Sequence, residues 1–224
     1  AFIGVSGGVD STTIAAILAS KMGDQLYACI IDHGGMRKGE IDEVSAIAKK
    51  AGIDLHIIRA EDYFYRIIGN ATDPEKKRKQ FQEAYKSIFE KVFKNQNITH
   101  VIQGTLATDL IESGKVGKSA LIKTHHNVGL AFQVPQIEPF NKLFKYEVRA
   151  IARSLGLEKE ISERKPFPGP GLYLRVLGVP ATPELIDVVR FADDVVTKIL
   201  KAENCYDDIS QLIVALDGTK TVGI

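Results

Sequence analysis

Near the start of the chain, Val5-Ser6-Gly7-Gly8-Val9-Asp10-Ser11-Thr12 has the residue types and order that cradle a phosphate. Paired glycines let backbone N–H groups close around an anion where a Cβ would clash. Ser6, Ser11 and Thr12 add hydroxyl donors, and a helix starting here brings its positive end to the same point. The stretch lacks the lysine that closes a Gly-Lys-Ser/Thr P-loop. An acid, Asp10, stands in the loop instead. A carboxylate beside a polyphosphate is repulsive unless a cation lies between them, so the loop implies Mg²⁺ with Asp10 holding it directly or through water. With no lysine for the γ-phosphate, the chemistry fits a pyrophosphate that leaves as one unit.

The elements that must position this loop follow from patterning. Phe2-Ile3-Gly4-Val5 reads as a strand, and Ile14, Ile17 and Leu18 form one face of a helix after the loop. Leu26–Ile31 reads as a second, fully buried strand with Cys29 in its core, ending at Asp32-His33-Gly34-Gly35. Ligands of parallel sheets lie beyond the carboxyl ends of strands, which puts Asp32 beside the phosphate loop, near a ribose or adenine. Arg37 and Lys38 border the same place. A helix follows with Ile41, Val44, Ile47 and Ala48 on one face, then strands at Leu55–Ile58 and His100–Gln103. Between these strands, Asp62–Ile68 is a helix that Gly69 ends. Asp73-Pro74-Glu75 starts another, with an acid cap and proline at the first helical position, and turns Phe81, Tyr85, Ile88, Phe89 and Val92 inward. Its basic run Lys76-Lys77-Arg78-Lys79 reads as a solvated face. Asp109 and Glu112 fall in a short helix, and Lys145–Leu155 is amphipathic with Gly156 as its stop. The expected fold is α/β: a parallel twisted sheet with helices on both faces. Three prolines and two glycines in Pro166–Gly171 make a rigid loop. A strand at Leu174–Leu177, a helix from Pro183 to about Glu203 and the apolar Leu212–Ala215 then begin a smaller α+β part. The expected division is 1–175 and 176–224.

Composition bounds the function. With 224 residues, 45% hydrophobic and 25% charged, the chain is an ordinary globular one, and its net charge of +1 gives no case for nucleic acid or an anionic membrane. Two distant cysteines, Cys29 and Cys205, argue against a zinc site or disulfide framework and for a reducing, cytoplasmic setting. His125 and His126, adjacent and beside Lys123, suit an anion better than zinc, because neighbours on a strand point apart. No signal peptide or membrane-length apolar run is visible. The chain starts inside a strand and stops without a polar tail, the expectation for part of a longer protein.

Ser6-Gly7-Gly8-Val9-Asp10-Ser11 resembles the pyrophosphate loop of the N-type ATP pyrophosphatases, which have the adenine nucleotide alpha hydrolase-like, Rossmann-like fold. Within that superfamily four later stretches are similar to the synthetase part of GMP synthases: Asp73–Lys79; Gln103-Gly104-Thr105 with Asp109 and Ile111-Glu112-Ser113; Ile122–Asn127; and Pro166–Gly171. The resemblance implies adenylation of XMP by ATP with release of pyrophosphate, then amination by ammonia. By position it implies that Ser6 through Thr12 bind the ATP phosphates, that Ile31, Asp32 and Gly104 line the nucleotide cleft, and that Asp10 holds Mg²⁺. It makes Lys123 a catalytic charge-neutraliser, and Arg37, His125 and His126 candidates for a lid or the XMP side. It further implies a glutaminase, as a separate subunit or an N-terminal domain, and a homodimer through the C-terminal part.

The chain departs from the family after Lys79, where Glu83 stands in place of an arginine. It has no catalytic-cysteine elbow with a later His-x-Glu, and no lysine- and glutamate-containing tail for XMP. Other readings of the loop are an NAD synthetase, a tRNA thiolase, or a module that binds adenine nucleotide without turnover. A thiolase needs sulfur-carrying cysteines and a basic RNA face.

Overall fold

The computed structural model describes residues 1–112, 132–157, 165 and 167–219. They form two compact units interleaved along the chain. The first takes Ala1–Ile31, Asp42–Ile58 and Lys86–Arg164; the second takes Asp32–Ile41, Arg59–Tyr85 and Lys165–Ile224.

The first unit is built on a sheet of β1 (Phe2–Gly4), β2 (Tyr27–Asp32), β3 (Leu55–Arg59), β4 (Val101–Ile102) and β5 (Gln136–Ile137). Their order is β3-β2-β1-β4-β5. β1 runs parallel to both β2 and β4, with Ile3 opposite Ala28 and Ile102, and β4 runs parallel to β5. Continuous apolar runs suit strands covered on both faces. Phe2, Ile3, Ala28, Cys29, Ile30 and Val101 accordingly are all buried. Burial pushes the Cys29 thiol up to about 12, which makes it an inert core residue. Phe2 meets Phe89 and Phe93 edge-on, at 4.5 and 4.8 Å, from the later part of α4 (Pro74–Asn95). The strand order reverses between β1 and β4. In such sheets that reversal opens a crevice at the carboxyl ends, between the loops after β1 and β4.

Helix α1 (Val9–Met22) corrects one expectation. Rather than a single apolar face, its first turns are buried all round: Ser11, Thr12, Thr13, Ile14 and Ala15, while Ile17 and Leu18 are half-buried. Polar residues tolerate this where they bond to backbone; Thr13 Oγ1 donates to Val9 O at 2.5 Å. Helix α2 (Glu40–Lys50) buries Val44 and Ala48, as its periodicity predicts. Val92 is only half-buried, and Phe93 takes the inward place in α4. Helices α5 (Ala107–Glu112) and α6 (Lys145–Ser154) complete the described part, with α6 packed against α1.

The second unit contains α3 (Glu61–Ile68), the first half of α4, a 3-10 turn (Gly171–Arg175), β6 (Val176–Leu177), α7 (Pro183–Ala202) and β7 (Leu216–Asp217). β6 and β7 pair in parallel. Asp73 caps α4 as the sequence predicts, accepting from Lys76 N at 2.8 Å, and Thr182 caps α7 ahead of Pro183. Two expectations fail. Leu174–Leu177 is not a strand throughout, because Gly171, at φ +60, turns the chain into a 3-10 segment that buries Leu172 and Tyr173 completely. Nor is the basic run of α4 wholly solvated. Lys77 is fully buried and donates to Val176 O at 2.5 Å and Val179 O at 2.9 Å, clamping the β6 segment to α4.

His33 lies in this core against Phe64 and Phe81, and its Nδ1 accepts from Gly35 N at 3.1 Å. Burial, with the Arg190 guanidinium adding to it, pushes His33 down to about 4 against the opposing pull of Asp32. The folded state therefore resists a proton that the unfolded chain accepts. Stability is unaffected above about pH 6.5 and falls as pH drops toward 4, by roughly 3 kcal/mol in total. His33→Asn keeps an acceptor for Gly35 N in an Asx turn but does not titrate. Urea unfolding at pH 7.5 and 4.5 is expected to show a markedly smaller acid loss for this variant than for the parent chain.

Candidate functional site

The candidate site lies in the first unit, on the loop after β1. Gly7 adopts φ +72, where a side chain would be strained, and Gly8 caps α1 in an extended conformation. Helical hydrogen bonding begins with Thr12 N to Gly8 O at 3.2 Å. The amides of Val9, Asp10 and Ser11 thus belong to the first turn, where a helix has no carbonyl to offer them. The serines brace the loop. Ser11 Oγ accepts from Ser6 N at 3.1 Å and donates to Gly8 O at 3.4 Å; Ser6 Oγ lies 3.1 Å from Ser11 Oγ and accepts from Gly8 N at 3.3 Å. Their hydroxyls preorganise the cradle as much as they offer donors to a guest.

Asp10 is held from α6, the helix packed against α1. Lys145 Nζ donates to Asp10 Oδ2 at 2.6 Å. Among the described residues its other oxygen, Oδ1, is buried without a partner, as is Thr12 Oγ1. Buried polar atoms without partners are rare, and a carboxylate oxygen left so is poised for a donor or cation. Lys145 stands at the first position of α6, where a positive charge opposes the helix dipole. Glu147, accepting from Phe144 N at 2.8 Å, and Asp10 offset that placement. The loop after β4 forms the other wall: a Cβ built on Gly104 would stand 3.5 Å from Asp10 Cβ and from Ser11 N.

Mg²⁺ fits this arrangement. Among the described residues no three His, Cys, Asp or Glu side chains gather as a metal cage. Mg²⁺ does not need one, since it takes one or two carboxylates together with substrate phosphates and water. Asp10 would supply the carboxylate.

The remaining sequence candidates are distributed as follows. Val9 is buried at 3% exposure and Ile31 at 2%, so each can offer a ligand only backbone. Asp32 closes β2, accepts from Gly34 N at 3.3 Å and pairs with Arg59 at 3.4 Å. Its hydrogen bond to Glu61, helped by burial, raises the Glu61 carboxyl. Arg37 lies 4.0 Å over the Phe167 ring and pairs with Asp193 at 3.4 Å, both within the second unit. Lys123, His125 and His126 lie outside the described residues. Lys145 was not a candidate from sequence. The only signal for it was a lysine at the start of an amphipathic helix, against the dipole.

Among the described residues no helix is long and apolar enough to cross a membrane. The family model for the queuosine biosynthesis protein QueC, a member of the N-type ATP pyrophosphatase superfamily, matches residues 1–93. The protein named GMP synthase [glutamine-hydrolyzing] from Natranaerobius thermophilus is 44% identical over 229 residues, covering 100% of this chain and 44% of that protein. Proteins of the same name from Campylobacter jejuni subsp. doylei and Lactobacillus delbrueckii subsp. bulgaricus are each 42% identical, covering 98% and 99% of this chain and 44% of their own length. The chain therefore spans rather less than half of these relatives. Among solved structures, the NMN synthetase of Francisella tularensis superposes with a TM-score of 0.58 at 20% identity, over 96% of this chain and 88% of that one. The NH3-dependent NAD synthetase of Campylobacter jejuni gives 0.53 at 16%, over 95% and 88%. At such identities they show the fold alone: an α/β, adenine nucleotide alpha hydrolase-like sheet.

Proposed function

Since the chain is homologous along its whole length to a part of the GMP synthases, we propose that it performs the ATP-dependent half of GMP synthesis. In this reading the C2 oxygen of XMP attacks the α-phosphorus of ATP and pyrophosphate leaves. Ammonia then displaces AMP from the adenylated base to give GMP. The observation that carries the reading is the Asp10 carboxylate, one oxygen on Lys145 and the other buried without a partner, at the mouth of a glycine loop on a helix N-terminus.

The chain's part is to hold the triphosphate and accept charge as it shifts. Amides of the loop and of the first turn of α1 point at the β- and γ-phosphates, with Ser6, Gly7, Gly8, Val9, Ser11 and Thr12 forming the cradle. Asp10 would hold Mg²⁺, which when bound would supply positive charge against the phosphates. As the bond to pyrophosphate breaks, negative charge builds on the leaving group, and Lys145 in this structure and Lys123 from the sequence are the cations to meet it. Gly104 lines the same cleft beside Asp10. Backbone of Ile31 and the Asp32 carboxylate contact the nucleoside, while Arg37, His125 and His126 belong to the lid or the XMP side. Ammonia comes from a glutaminase, a separate subunit or another domain of the protein, and residues 176–224 begin a dimerisation domain.

The test is pyrophosphate release on mixing the chain with ATP, Mg²⁺, XMP and ammonium. Release that requires XMP is expected, and nicotinic acid adenine dinucleotide in its place is expected to give none. Absence of XMP-dependent pyrophosphate overturns the proposal, and release with the dinucleotide moves the chain to the NAD synthetases.

A further inference from the structure

Resting on that reading, we infer that Glu138 is a positioning residue of the reaction: through Thr105 it sets the turn that walls the phosphate loop. The turn after β4 is held at four points. Gln103 N donates to Ile137 O at 2.9 Å, Thr105 Oγ1 to Glu138 Oε1 at 2.8 Å, Leu106 N to Asp109 Oδ2 at 2.8 Å, and Ala107 N to Leu143 O at 3.0 Å. Gly104 stands among them and faces Asp10 and Ser11. Two of the four bonds are backbone ladder or backbone closure, and one is a local cap at the start of α5. The Thr105–Glu138 bond is different in kind. It joins side chains 33 residues apart, its donor is only 6% exposed, and its acceptor is a carboxylate. A hydroxyl donating to a carboxylate makes a charge-assisted bond, stronger than one between neutral groups.

Glu138 also begins the segment that ends in Lys145. Leu143 N donates to Phe140 O at 2.9 Å, Leu143 O takes the Ala107 amide, and two residues later Lys145 reaches Asp10. Both groups that approach Asp10, the Gly104 turn and the Lys145 ammonium, are therefore braced by residues 138–145. Removing the Glu138 carboxylate strands a buried hydroxyl, and the turn relaxes toward another acceptor. Such outer supports of a ligand site typically change affinity by about 10–100-fold.

The experiment compares Glu138→Ala, Glu138→Gln, Thr105→Val and the double variant Glu138→Ala/Thr105→Val. Glu138→Ala is expected to raise KM for ATP about tenfold with kcat lowered much less, because the nucleotide's seat moves while the reacting groups stay. Glu138→Gln, which keeps an oxygen acceptor, is expected to restore KM to within about twofold of the parent. The double variant is expected to be no worse than either single one, since both remove the same bond. Amide hydrogen exchange at Gly104–Leu106 is expected to speed up in Glu138→Ala with the melting temperature little changed. An unaltered KM in Glu138→Ala, damage in Glu138→Gln equal to that in Glu138→Ala, or additive losses in the double variant overturns the inference. If the parent chain makes no XMP-dependent pyrophosphate, the functional reading falls by itself. The positioning role is then decided by the exchange measurement, where unchanged rates at Gly104–Leu106 reject it.

Discussion

Asp10→Asn is expected to lower XMP-dependent pyrophosphate release by roughly 10³-fold while moving the melting temperature by no more than about 2 °C. The two halves of that result have separate causes. Asparagine matches aspartate in shape, so packing at the loop is kept. The ion pair it loses is partly solvated, with Lys145 45% and Asp10 23% exposed in their side chains, and such pairs contribute about 1 kcal/mol or less. The Oδ1 atom that is buried without a partner contributes nothing to stability that an amide group would forfeit. For the reaction the change is severe. An amide is a poor ligand for Mg²⁺ beside a polyphosphate, and it leaves Lys145 without its anion just where a compensated charge array is needed. Initial-rate assays at saturating ATP, with thermal melts of the same preparations, check both halves. A variant with near-parental rate would remove Asp10 from the metal and leave it a structural counter-ion of Lys145.

Gly171→Ala is expected to destabilise the second unit by about 4 kcal/mol, through strain and a lost hydrogen bond. Gly171 sits at φ +60, and a Cβ there would fall 2.1 Å from Gly35 O, a contact no rotamer relieves. That carbonyl is the acceptor for Leu172 N at 2.8 Å, so the strand-end loop and the 3-10 turn must separate together. Tyr173, which donates to His33 O at 2.7 Å, would be drawn out with them. Urea titration followed by tyrosine fluorescence should show the loss as a lower midpoint. Alanine at Gly178, also at positive φ (+69) but with nothing near its Cβ position, separates backbone strain from collision and is expected to cost no more than about 1 kcal/mol.

The glycine loop and the helix that starts from it were legible because the signal is local: paired glycines between an apolar run and an amphipathic segment mark a strand, a turn and a helix start whatever surrounds them. The central strands were legible too, since a run such as Ala28-Cys29-Ile30-Ile31 has no face to turn to water. Lys145 was not, because periodicity shows which residues share a helix face and not which distant group that face meets. Lys77 was misread for a related reason. A lysine in a basic run is ordinarily solvated, and only tertiary structure supplies two carbonyls to receive its ammonium. The segment from Leu174 was read as a strand on its apolar content, while the left-handed Gly171 decided its conformation.

The Lys145–Asp10 pair closes over 135 residues. A ribosome adding about 5–20 residues per second delivers Asp10 on the order of 10 s before its lysine. For that interval the glycine loop has been made and the cation that compensates its acid has not, so a nascent chain cut before Lys145 carries the loop without the grip.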